Sequence, residues 1–304
     1  MIRQKKRSKN QRRLPKVHIK IEDGRFQIMG MGSWHNYWRD PYHLMLTISW
    51  SGFFIISSGS YVAINTLFAL AYLAGGDCIE NARPGSFLDA FFFSVQTLAS
   101  IGYGAMYPKT TYANTIVTIE AMMGLVGIAV MTGLAFARFS KPSARVVFSR
   151  VAVIAPYDGV PTLMFRTANK RRNQILEAQL RVYLMRDEVS AEGQFMRRFY
   201  DMNLVRSQTP SFTLTWTAMH PIDESSPLYG MTAESLIATK TSIVASLSGI
   251  DETVVQVIHA RHTYSAHDIL LNNRLVDVIY HTPDGHRYID YNYFHEVVSL
   301  ESED

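Results

Sequence analysis

The sequence predicts a membrane α plus all-β protein: two spanning helices with a short re-entrant helix between them, then an antiparallel β-sandwich. Three observations carry this. Leu44–Gly76 contains no charged residue, and within Asn114–Ala137 the only one is Glu120; both stretches exceed the ~20 residues that cross a bilayer. Between them lies an apolar stretch too short to cross. From Ser143 the texture changes to short β-branched and aromatic runs separated by turn residues, the pattern of a sandwich. A chain of 304 residues accommodates both parts.

In chain order, residues 1–33 form a basic tail with Arg3, Lys5, Lys6, Arg7, Lys9, Arg12, Arg13 and Lys16. No cleavable apolar core follows it closely, so no signal peptide is expected. Such a run beside a span stays in the cytoplasm, and two spans return the chain to the same side, which puts both termini there. The net charge of +4 arises from basic residues near the membrane segments and a second cluster at Arg166, Lys170, Arg171 and Arg172, so anionic lipid is expected as partner rather than nucleic acid. In WHNYWRD, Trp34, Tyr37 and Trp38 share one helical face before Pro41; residues 34–43 read either as a helix lying in the interface or as a plain aromatic belt.

The pore-forming part is assigned to 44–141 and the sandwich to 142–304. Leu44–Leu73 would make a first helix of about 45 Å, long enough to require tilt or projection. Gly75–Gly85, with Asp77, Glu80, Arg83 and Pro84, is too polar for lipid. Ser86–Ala99 is the short re-entrant helix, with Ser86 as N-cap and Asp89 in its first turn. Thr111–Phe139 is the second span, where Gly124, Gly127 and Gly133 permit bending or close approach. In the sandwich, Pro283-Asp284-Gly285 marks a hairpin turn before HRYIDY. The single cysteine, Cys78, allows no intrachain disulfide.

Between the short helix and the second span stands SIGYG, Ser100 to Gly104. Unpaired backbone at membrane depth is tolerated only where it is buried in protein or lines a water-filled path. Four copies around an axis would point the carbonyls of Ser100, Ile101, Gly102 and Tyr103 inward, where they replace the water shell of a potassium ion. Glycine at alternate positions supplies backbone angles that side chains disfavour.

SVQTLASIGYG, the interfacial WRD, FARFSKP at the end of the second span and the later MHPIDESSPLYG together resemble the prokaryotic inward-rectifier potassium channels, the KirBac group, over about Trp34–Val298. The resemblance implies a homotetramer with an interfacial slide helix, outer and inner helices, a pore helix with a selectivity filter, and an immunoglobulin-like cytoplasmic sandwich. It implies residence in the bacterial inner membrane, potassium as the permeant ion, no cofactor, and block by barium. The family filter is commonly Thr-x-Gly-Tyr-Gly-Asp; here Ser100 and Ala105 replace the threonine and the aspartate, and Gln96 stands where many relatives carry a glutamate. Fewer acidic groups put filter stability and cation concentration at the mouth in question.

Ile128, Thr132 and Phe136 share a face of the second span, which from the residues alone is either a packed or a lipid-facing stripe. The resemblance places Phe136 at the bundle-crossing gate, Thr132 and Ile128 in the cavity, and an acidic residue at the Ile128 position in strong rectifiers; weak block by magnesium or polyamines is therefore expected. Glu120, ionisable within a span, is a functional candidate, expected to hydrogen-bond Gln96, Thr97 or backbone behind the filter. Arg39, Arg138, Lys141 and Arg145 would lie at headgroup level; the resemblance makes them a phosphoinositide-like lipid site that acts on the gate. His259, Arg261, His262 and His267 lack an accompanying nucleophile or carboxylate pair, so enzyme chemistry is not expected. Two other readings stay open: a channel of this fold with reduced selectivity, and a non-conducting membrane-anchored binding module.

Overall fold

The structure, a computed structural model, describes residues 18–22, 25–29, 40–171, 173–281 and 284–300. Trp34, Tyr37, Trp38, Arg39 and Arg172 lie outside the described residues. Strands β1 (His18–Glu22) and β2 (Arg25–Met29) pair as an antiparallel hairpin. The chain divides into two compact units, one ending at Lys141 and one beginning at Pro142, and the hairpin belongs to the latter.

In the first unit, helix α1 (Pro41–Thr47) starts at Pro41 because the Asp40 side chain accepts from the His43 N–H at 2.9 Å and proline suits the first helical position. It stops at Ile48, whose backbone is extended (φ −59°, ψ 157°). Ser49 then caps a new helix, α2 (Trp50–Ala74), its hydroxyl accepting from the Gly52 N–H. The single first helix expected from Leu44 is thus two helices, and the boundary placed at residue 43 falls inside α1. A run of apolar residues hides such a break, because Ser49 looks no different in sequence from any serine tolerated within a span. The remaining 25 residues rise about 37 Å and need far less tilt.

A short strand β3 (Ile79–Glu80) leads to α3 (Phe87–Leu98), capped as expected by Ser86, with Asp89 in its first turn. Asp89 takes a two-pronged bond from the Arg83 guanidinium at 2.8 and 2.9 Å and a third from its N–H, which fixes the entry to the helix. Strand β4 (Tyr107–Pro108) pairs with β3, and α4 spans Thr111–Phe139 as expected. The most apolar windows of α2 and α4 are only 17% and 11% buried within the chain, so neither is the core helix of a water-soluble fold. Their covered faces meet α3 around Ala69, Tyr72, Ala90, Phe93 and Ala113, with the Tyr72 and Phe93 rings edge-on at 5.1 Å.

The second unit is a two-sheet sandwich. Strands β5 (Val146–Phe148), β6 (Ala152–Tyr157) and β7 (Val160–Asn169) belong to one sheet; β8 (Ile175–Val189), β9 (Phe195–Met202) and β10 (Gln208–Phe212) belong to the other. β11 (Thr215–Pro221) returns to the first, and after the short helix α5 (Ala233–Ala238) the strands β12 (Ser242–Asp251) and β13 (Gln256–Ser265) complete the second. The final edge is β14 (Ile269–Leu271), which pairs with β6 in parallel, whereas the other pairs are antiparallel. The alternation along β8 and β12 sends Leu180, Val182, Leu184, Ile243, Ala245 and Leu247 into a core shared with Leu163, Phe165, Trp216 and Tyr264. Ser149–Val151 separates β5 from β6, and Thr213–Leu214 separates β10 from β11. Short strands β15 (Asn273–Leu275), β16 (Ile279–His281), β17 (Arg287–Ile289) and β18 (Val297–Ser299) follow. β16 and β17 form the hairpin expected around Gly285, which is left-handed at φ +81°.

Candidate ion-conduction site

Helix α3 ends by wrapping its last carbonyls. The Ser100 N–H donates to Thr97 O at 3.0 Å and the Ile101 N–H to Gln96 O at 2.8 Å, a closure that requires a left-handed residue at position 100. Ser100 meets it at φ +55°, and Gly102 (+57°) and Gly104 (+80°) repeat it, whereas Ile101 and Tyr103 between them are not left-handed. Among the described residues of one chain no atom approaches the Cβ positions of Gly102 and Gly104 within 4 Å, so within the chain it is conformation that favours glycine there. A left-handed side chain costs about 1–2 kcal/mol, and a β-branched one is worse still; serine at 100 is easier to hold than the family's threonine. Within one chain the segment is open, with Tyr103 74% exposed, so its ring is not packed on its own pore helix.

Two supports were not legible in the sequence. Asn81, itself left-handed at φ 63°, donates from Nδ2 to the carbonyl of Ala105 at 2.9 Å and so ties the end of SIGYGA to the β3 turn. Lys109 joins Asp77 at 2.7 Å and Glu80 at 3.6 Å on the same hairpin. Nothing in a lone asparagine before a loop announces the first of these.

Glu120 is fully buried, as its position suggested, but its partners are neither Gln96 nor Thr97. Tyr72 of α2 donates its hydroxyl to Glu120 Oε2 at 2.5 Å, and Ser94 of α3 shares a hydrogen bond with Oε1. Thr97 instead turns its hydroxyl back to Phe93 O at 2.9 Å, and the Gln96 carbonyl is taken by the turn at 101. Of the three glycines expected to permit bending or close approach, Gly124 is a point of close approach: a Cβ there would stand 2.1 Å from Leu98 O, whereas among the described residues nothing lies within 4 Å of a Cβ at Gly127 or Gly133. Ile128, Thr132 and Phe136, which share a face, are exposed, Phe136 at 73%, as is most of α4 from Met122 on, which its own chain leaves uncovered.

Arg138 departs from expectation most. Its guanidinium donates to the carbonyls of Met45 and, at 2.8 Å, Ile48, the orphan acceptors at the end of α1. It also stacks over Trp50 at 4.5 Å and Phe53 at 4.9 Å. These contacts engage the guanidinium within the chain. Lys141 and Arg145 are exposed.

In the sandwich, MHPIDESSPLYG forms a clamp. His220 is buried, with Nδ1 donating to Asn203 O at 2.7 Å and Nε2 accepting from Ser226 Oγ at 2.8 Å. Burial pushes the His220 pKa down; burial, with Arg150 and Lys170 nearby, does the same at His295. The unfolded chain therefore takes up protons near pH 6.5 that the folded chain refuses. Stability is full above that value and falls as pH drops through it: the protein should melt at lower temperature at about pH 5.5 than at 7.5, above the range where carboxylates titrate. A His220→Gln variant should narrow the gap; an equal gap would remove His220 from the account. A cavity of 640 Å³ is lined by Lys170, Arg171, Tyr291, Phe294 and His295 among others. His262 lies flat on Phe148 at 5.5 Å, and among the described residues no three metal-ligating side chains converge.

The family model "Inward rectifier potassium channel C-terminal domain" matches residues 146–304, and "Ion channel" matches 44–141. The chain is 49% identical over 283 residues to inward rectifier potassium channel Kirbac3.1 of Paramagnetospirillum magnetotacticum, covering 93% of this chain and 96% of that one. It is 34% identical over 242 residues to human inward rectifier potassium channel 4, 76% of this chain and 53% of that one. It is 28% identical over 290 residues to human ATP-sensitive inward rectifier potassium channel 12, 88% of this chain and 66% of that one. These are ion channels and not enzymes, and the family is tetrameric. With two membrane helices, a short helix between them and an all-β second unit, the chain belongs to the inward rectifier potassium channel family.

Proposed function

We propose that four copies of this chain form a potassium-selective pore in the bacterial inner membrane, with both termini in the cytoplasm and Ser100–Gly104 as the filter. The observation that carries this reading is the alternation of left-handed backbone at Ser100, Gly102 and Gly104, placed between two membrane helices. Such a backbone presents carbonyls rather than side chains to an ion. The uncovered stripe of Ile128, Thr132 and Phe136 supports a cavity that narrows to a phenylalanine gate closing by dewetting. Ile128 offers no charge to magnesium or polyamines, so rectification is weak. Exposed Lys141 and Arg145 are the residues for an anionic headgroup; Arg138 acts through α1 and α2 instead.

The cavity beside Lys170 and Arg171 favours a second reading of the modulator, since cations next to Tyr291 and Phe294 suit a phosphorylated aromatic ligand, and one relative is named ATP-sensitive. Flux of rubidium against sodium into proteoliposomes, with barium, phosphoinositide and ATP in separate arms, tests all of this. Barium-blocked, rubidium-selective flux is expected, lowered by phosphoinositide in wild type and unaffected in a Lys141→Gln/Arg145→Gln double variant. Equal sodium flux would overturn the selective reading; no flux in any arm would favour the binding module.

A further inference from the structure

We propose that Glu120 works as a neutral carboxylic acid whose proton is donated to Ser94, and that this donor positions the pore helix and the segment that follows it. The functional half of this inference rests on the filter reading above; the protonation half does not.

The case is a count of protons. Ser94 Oγ touches two acceptors, Asn65 Oδ1 at 2.9 Å and Glu120 Oε1, but a serine hydroxyl has one proton. Asn65 cannot supply another by exchanging its amide atoms, because Nδ2 is committed to the Tyr61 carbonyl at 2.7 Å, where an oxygen would meet an oxygen. The Tyr72 proton is used on Glu120 Oε2. An ionised Glu120 therefore leaves one contact as two facing oxygens without a hydrogen. That contact would sit where Asn65, Ser94 and Glu120 are 0% exposed and Tyr72 is 1% exposed, and an unmade bond is most costly there. Among the described residues no Lys, Arg or His forms an ion pair with Glu120.

One added proton satisfies every contact. Tyr72 donates to Oε2, Oε1–H donates to Ser94, Ser94 donates to Asn65, and Asn65 donates to Tyr61. The relay ties α4 to α3 and α3 to α2 at the turn of α3 that precedes Gln96, whose carbonyl receives the Ile101 N–H. Glu120 touches no ion; it is a positioning residue.

The proposal makes glutamine the faithful substitute, since its amide nitrogen donates to Ser94 while its oxygen accepts from Tyr72. In proteoliposomes the rubidium-to-sodium flux ratio of Glu120→Gln should stay within about twofold of wild type, while Glu120→Ala and Ser94→Ala should lower it about tenfold. An infrared difference spectrum of purified wild type minus Glu120→Gln at neutral pH should contain the C=O stretch of a protonated carboxyl group. Absence of that band overturns the proposal, as does a Glu120→Gln channel as unselective as Glu120→Ala, which would mean that charge is required. If wild type conducts nothing, the filter reading fails, while the infrared band still decides the protonation. If Glu120→Ala does not assemble, Glu120→Gln and the band carry the test.

Discussion

Gly124→Ala should abolish selective flux. The added methyl carbon would stand 2.1 Å from the Leu98 carbonyl oxygen and 3.1 Å from its carbon, and both are backbone, so no side chain can swing aside. Either α3 or α4 must move by about an ångström, an overpacking cost of roughly 1–3 kcal/mol in each subunit. Leu98 is two residues before Ser100, so the displacement reaches the left-handed turn at Ser100. The expected result is a rubidium-to-sodium flux ratio lowered at least about tenfold, with a drop in the melting temperature of the assembled protein. A Gly124→Ala channel with wild-type selectivity and melting would show that α3 can shift without disturbing SIGYG.

Arg138→Ala should have an effect of similar size but of different kind. The substitution leaves the Met45 and Ile48 carbonyls without their donor and removes a cation from over Trp50 and Phe53. Charge-assisted bonds of this sort are worth about 1.5–3 kcal/mol each and the stacking about 0.5–2. Part of that sum is offset by the cost of burying the guanidinium, whose Nε has no hydrogen-bond partner among the described residues, so a net loss of about 2–4 kcal/mol is expected. The break between α1 and α2 would come loose from the end of α4, changing how often the pore opens. Selectivity should persist, because Arg138 lies 14 residues beyond Gly124, about 21 Å along the helix. Arg138→Lys should rescue only in part, since an ammonium cannot fork to two carbonyls while lying on a ring. Single-channel recording in planar bilayers with and without phosphoinositide checks this. A variant with wild-type open probability and melting that loses only its lipid response would return Arg138 to the headgroup site.

The difference between these two residues shows what a sequence makes legible. Gly124 and Arg138 both stand out in the sequence, but for properties they carry as single residues: a glycine permits bending or close approach, and an arginine near a headgroup attracts phosphate. Their partners lie far away in the chain, Arg138 being 93 residues from Met45 and Glu120 being 48 from Tyr72. No local pattern encodes such pairs. Glu120 was found because a lone ionisable group in a span stands out, yet Ser94 and Tyr72 were missed because hydroxyls are ordinary in apolar helices. Asn81 had no signal of its own.

By itself the sequence determined the two long apolar helices, the cap at Ser86, the short helix between the spans and the alternating glycines after it. Each of these follows from hydrophobic length or from backbone geometry, which act within a few residues. Only the tertiary structure decided the break at Ile48–Ser49, the seat of Gly124 on Leu98, the capping of α1 by Arg138 and the proton-linked cluster around Glu120. Those depend on which donors and acceptors are left unpaired once helices meet, and packing settles that after local structure has formed.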